Sequence, residues 1–173
     1  MNMRLVLVLL AMAGAARGEV LDAQPSGFTV RETVTISTDA AHVWSALGHI
    51  GAWWDPAHSY SGDPSRHSIT LQPGGEWREA LPGGGVLHMA VINAQPDKLL
   101  RLEGALGPLQ DFGVIGHLTL TLRQNGAGTQ VTQTYDAGGH APGGLDKLAA
   151  PVDGVLTEQL ARLKRYTETG SPR

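Results

Sequence analysis

Five side chains in this sequence could do acid–base chemistry. His58 and Tyr60, within "GAWWDPAHSYSGD", lie two residues apart and share a face if that segment is extended. The imidazole could then act as general base and the phenol as acid or hydrogen-bond donor; the competing reading is an ordinary surface histidine. Glu79 and His88 stand on opposite arms of "EWREALPGGGVLHMAV", where the register can set them opposite or nearly so. On the concave side of a sheet that carboxylate would orient the imidazole and raise its pKa, whereas on the outer side the pair would be solvated. Glu32 is the anomaly, an acid on the apolar face of "FTVRETVTIS" that must find a partner or water. A polar cavity floor would answer that need, and so would a strand edge open to solvent.

Three tryptophans accompany these groups. Trp53 and Trp54 sit about 100° apart if their segment is a helical turn, so one can pack in the core while the other lines a cavity. Trp77 shares a strand face with Glu79. Each indole offers a large apolar surface and one N–H donor, which suits a ring-bearing ligand. Closing one end of the core is the alternative role.

Other chemistry finds little support. There are seven histidines and no cysteine, and no His-x-x-x-His spacing or carboxylate-rich triad; Pro56 separates Asp55 from His58. No metal and no cofactor are expected. The runs "PGGGV" and "GGHAPGG" lack the lysine of a phosphate loop, and no serine elbow is present. The net charge of −3 carries no basic footprint for nucleic acid. Nothing in the composition fixes an oligomeric state.

The elements that must position these groups follow from periodicity. Residues 28–37 alternate apolar and polar with β-branched members, a half-buried strand. Thr38 or Asp39 can cap a short helix burying Val43, Trp44 and Leu47. "HSITLQ", two hairpins turned at residues 82–85 and 125–128, and "DKLLRLEGAL" read as a meander of strands. From Leu145 onward the apolar period becomes three and four, giving one long amphipathic helix that Pro151 should kink or split. The sum is an α+β layer arrangement: a curved antiparallel sheet of about six to seven strands wrapped around the C-terminal helix, with short helices after strand one.

The N-terminus reads separately. Arg4, the apolar run Leu5 to Ala13 and then "AGAARG" have the order of a secretory signal peptide, and the run is too short to span a bilayer. Cleavage near Gly18 would start the mature chain at Glu19, with 19–27 as an extension, 28–168 as the domain and 169–173 as a tail. A periplasmic or secreted location is therefore expected, without stable membrane insertion after cleavage; an uncleaved anchor is the alternative.

The segments "AAHVWSALGHIGAWW", "LPGGGVLHMAV", "KLLRLEGALGPLQ" and "VDGVLTEQLARLKRY" resemble the START-related, birch-pollen-allergen-like superfamily known as SRPBCC. Within it the chain is similar to bacterial proteins described as polyketide cyclase/dehydrase or ATPase-activator-like. The resemblance spans about residues 28 to 167. It implies a helix-grip fold with a hydrophobic pocket under the C-terminal helix, and hence a carrier or sensor of a hydrophobic small molecule, ring-containing or acyl. Trp53, Trp54 and Trp77 would supply walls, and Glu32, His58, Tyr60, Glu79 and His88 polar groups. The alternative is a cyclase, dehydratase or isomerase using the same acid–base groups. Regulation of a chaperone ATPase is disfavoured by the leader, since the periplasm offers no such partner.

Overall fold

A computed structural model describes residues 14–173. Most of the expected leader therefore lies outside the described residues. Eight antiparallel strands form one sheet: β1 (Arg17–Gln24), β2 (Gly27–Ile36), β3 (His67–Ile69), β4 (Glu76–Leu81), β5 (Gly84–Gln95), β6 (Leu99–Glu103), β7 (Gly113–Asn125) and β8 (Gly128–His140). Their spatial order is β1-β2-β8-β7-β6-β5-β4-β3. Helices α1 (Ala40–Gly48) and α2 (Ile50–Trp53) follow β2, and α3 (Asp146–Thr169) closes the chain.

The alternation of β2 is realised, with Phe28, Val30, Val34 and Ile36 buried and their neighbours outward. Asp39 caps α1 by accepting from the His42 N–H at 2.9 Å. The first long hairpin turns at Pro82 and Gly83 and the second at Gly126 and Ala127, with Gly83 (φ 77°) and Gly126 (φ 61°) in the left-handed region. The eighth strand is the one that periodicity does not announce. β1 is exposed at every position, so it has no apolar alternation, and it is held by its ladder to β2.

Helix α3 lies over the sheet with Leu156, Leu160 and Leu163 buried. It runs unbroken through Pro151, so the alternative of a split helix does not occur. Pro151 is its sixth residue, so the carbonyl that loses an N–H partner is that of exposed Lys147 in the first turn. Lys164 Nζ donates to the Thr35 carbonyl at 2.7 Å and Arg162 Nε to the Trp53 carbonyl at 2.8 Å, which locks α3 to β2 and α2. Leu148, Val152 and Val155, on the same stripe, are only half-buried because sheet and helix part there. Among the described residues no helix is long and apolar enough to cross a membrane.

Candidate functional site

The gap between sheet and helix is a cavity of about 460 Å³. The first turns of α3 supply Leu148, Val152, Val155 and Leu156; the 3₁₀ turn Gly107–Asp111 and the residue before it supply Leu106, Pro108 and Leu109. Tyr135 holds that turn in place from behind. Its O–H donates to the Gly104 carbonyl at 3.2 Å and its oxygen accepts the Leu106 N–H at 3.3 Å. Gly116 makes room for this ring, because a Cβ there would lie 2.6 Å from it.

The remaining wall comes from the segment after α2 and from β5. Trp54 is buried, lies edge-on to Trp77 at 4.7 Å and donates its N–H to the His58 carbonyl at 3.0 Å. His58 ends the 3₁₀ turn Pro56–His58 and sits exposed at the cavity rim. Tyr60 lines the mouth, donating its O–H to the Gly107 carbonyl at 2.9 Å. Burial, with help from Asp111 and Glu79, raises its pKa, so the phenol stays protonated. His88 lines the inner wall, with its ring 5.9 Å from that of Tyr60.

Behind His88 lies a buried network. Glu79 Oε2 is 3.1 Å from His88 Nε2 and 3.4 Å from His67 Nε2. The same carboxylate accepts the Tyr60 N–H at 3.1 Å on Oε2 and the Ser61 N–H at 2.5 Å on Oε1. It thereby anchors the loop that carries His58 and Tyr60. Burial alone would push the Glu79 pKa up, but the bonds from Ser61 and Tyr60 and the nearby His67 outweigh it and hold the carboxyl below its ordinary range. Burial lowers both histidines, and Glu79 opposes this without reversing it. The carboxylate therefore does not raise the His88 pKa above its ordinary value as the sequence led one to expect. An ionised glutamate flanked by two neutral imidazoles is the resulting state.

Tautomers follow from the partners. The indole N–H is a donor only, and Trp77 Nε1 lies 3.0 Å from His67 Nδ1, so that nitrogen accepts and the His67 proton sits on Nε2. His67 Nε2 then donates to Ser59 Oγ at 3.0 Å or toward Glu79. An ionised Glu79 can only accept, so His88 also carries its proton on Nε2. Its Nδ1 has no hydrogen-bond partner among the described residues, which leaves an unpaired acceptor on a residue that lines the cavity.

His67, Glu79 and His88 place one potential ligand atom each within 4.8 Å of one another, a three-donor grouping that sequence spacing does not reveal. A metal on His67 Nε2 would need that nitrogen's lone pair. The proton would then move to Nδ1 and point at the Trp77 N–H, so the hydrogen-bonded arrangement disfavours ligation.

The fold thus brings Trp54, His58, Tyr60 and His88 to one cavity and sets Glu79 and Trp77 directly behind His88. Trp53 does not line it. Its N–H donates to the Ala46 carbonyl at 2.8 Å within the core. Glu32 is not the cavity floor either: β2 lies toward the far side of the sheet, where Glu32 is fully buried and accepts from Gln133 Nε2 at 3.0 Å. His67 is the group that the residue pattern undervalued. Its alternation with Ile69 and Leu71 was the available signal for an inward face.

Residues 27–168 match the family model for "Polyketide cyclase / dehydrase and lipid transport". No curated protein matches the sequence. Among solved structures, CalU16 from Micromonospora echinospora is similar at 14% identity and a TM-score of 0.60, over 92% of this chain and 88% of that one. The Aha1 dimer protein from Colwellia psychrerythraea is similar at 17% identity and a TM-score of 0.57, over 82% and 97%. DynU16, from the dynemicin biosynthetic locus, gives 20% identity and a TM-score of 0.56, over 82% of this chain and 48% of that one. At these identities the likeness is one of fold.

Proposed function

The chain belongs to the polyketide cyclase / dehydrase and lipid transport family, and from that premise we propose that it binds an apolar, ring-bearing small molecule carrying a hydroxyl or other hydrogen-bond donor. The observation that carries this reading is the unpaired acceptor of His88, a residue in the wall of an otherwise largely apolar cavity. A volume of about 460 Å³ suits a small ligand. The Trp54 N–H and the Tyr60 O–H are already engaged by backbone carbonyls, so neither donor is free for an acceptor on the ligand, whereas His88 Nδ1 can accept from a ligand donor. Trp54 gives a flat face for a ring.

A matched pair of probes tests it. Tryptophan fluorescence should respond to 2-naphthol with at least about fivefold higher affinity than to 2-methoxynaphthalene, which lacks the donor. His88→Leu should abolish the preference while keeping affinity for the ether. No response to either probe, or a preference that survives His88→Leu, overturns the proposal.

The Glu79–His88 pair favours a second reading, in which His88 Nδ1 takes a proton from a bound carbonyl compound and Glu79 stabilises the imidazolium that forms. Exchange of α-protons of a cyclic ketone for deuterium, followed by NMR, tests this. Catalysed exchange lost in His88→Gln supports turnover; exchange no faster than in buffer removes it.

A further inference from the structure

Across the sheet from His88, three oxygens converge without donors. Gly18 on β1 is the register partner of Glu32 on β2, and α3 passes over them with Asp153 and Thr157, residues one turn apart. Glu32 Oε1, Asp153 Oδ1 and Thr157 Oγ1 are buried and have no hydrogen-bond partner among the described residues. Burial, then the adjacent Asp153 carboxylate, pushes Glu32 up to about 8 despite its bond from Gln133. Burial also raises Asp153, while the Glu19 backbone N–H beside it acts in the opposite sense. The two side chains press against the backbone of Gly18: a Cβ there would lie 2.2 Å from Thr157 Oγ1 and 2.4 Å from Asp153 Oδ1, so both would have to shift. Beyond the Gln133 amide and the Glu19 backbone N–H, these two carboxylates and a hydroxyl have no cation beside them among the described residues.

We propose that the counter-ion of this site is the α-ammonium of Glu19, created when the Gly18–Glu19 bond is cut. The proposal rests on residues 1–18 being a leader. Hydrolysis by an export peptidase adds one water across the amide, leaving a carboxylate on Gly18 and an ammonium on Glu19. That nitrogen already lies against the Asp153 carboxylate, so little chain movement is needed. The rest of β1 stays paired to β2 through Val20 with Val30 and Ala23 with Phe28. Three N–H donors on the ammonium match the three oxygens, and the buried acid of β2 acquires a purpose: it recognises the processed N-terminus.

N-terminal sequencing of the protein exported from the full-length chain should read Glu-Val-Leu-Asp. The chain beginning at Glu19 should melt about 4 °C or more above its Nα-acetylated twin, which has the same residues and no terminal charge. Its α-amine should titrate above the ordinary range of about 7.7–8.0. The melting difference should vanish when Glu32→Gln and Asp153→Asn are combined; if that variant does not fold, the α-amine titration of the wild-type sequence decides. A different first residue, equal melting of the free and acetylated chains, or an unshifted α-amine overturns the proposal.

Discussion

Glu79 Oε2 and His88 Nε2 stand 3.1 Å apart because β5 carries one residue more than β4 at this point of the ladder. Trp77 pairs with Met89 and Arg78 with Leu87, so His88 is the extra residue of a bulge, and it turns inward beside Met89. Leu87, which strict alternation with Met89 would bury, is 45% exposed instead.

Glu79 is the anchor of the loop that frames the cavity. Glu79→Gln leaves one acceptor oxygen for the Tyr60 and Ser61 N–H groups and His88, and should cost about 2–4 kcal/mol in urea unfolding. Faster amide exchange of Tyr60 and Ser61 should accompany it. Unchanged stability and unchanged exchange would show that the loop is held by other means.

Trp77 sets a proton. In the wild type, nitrogen chemical shifts should report both His67 and His88 protonated on Nε2. Trp77→Phe removes the donor to His67 Nδ1 and should let the Nδ1–H tautomer of His67 appear, while His88, fixed by Glu79, does not change. A His67 signal insensitive to this substitution would contradict the tautomer assignment.

Gly116 is required by the Tyr135 ring. Gly116→Ala places a methyl carbon 2.6–2.8 Å from that ring and its hydroxyl, and should destabilise by about 1–3 kcal/mol. Because Tyr135 also holds Leu106, affinity for an apolar probe should fall as well. Gly116→Ala in a Tyr135→Ala background should lose most of its cost, which a double-mutant cycle measures.

Glu32 makes stability depend on pH in the chain that retains Gly18. Its folded pKa, about 8, is raised above the ordinary 4.5, so the unfolded chain ionises first and stability is lost as pH rises between those values. Glu32→Gln should therefore stabilise this chain at pH 8.5 by a few kcal/mol, on the order of what such a shift implies, and give no gain at pH 4. Equal differences at both pH values would mean that Glu32 is not held neutral.

The amino-acid order by itself determined the architecture. Period-two alternation in β2 and β7, glycine-bearing turns at 83 and 126 and the three-and-four repeat after Leu145 are local signals, and local sterics suffice to read them. The shared inward face of Trp77 and Glu79 was legible for the same reason. β1 was not, since an edge strand with no buried position is specified by its neighbour's ladder and not by its own pattern. The bulge at His88 and the meeting of His67 with Glu79 were also hidden: both depend on the register between strands, a property of two segments at once. Glu32 shows the same limit. Its misplacement among apolar residues was plain from the sequence, but only the packing of α3 across β1 and β2 put Asp153 and Thr157 beside it, outside the lining of the cavity it was expected to floor.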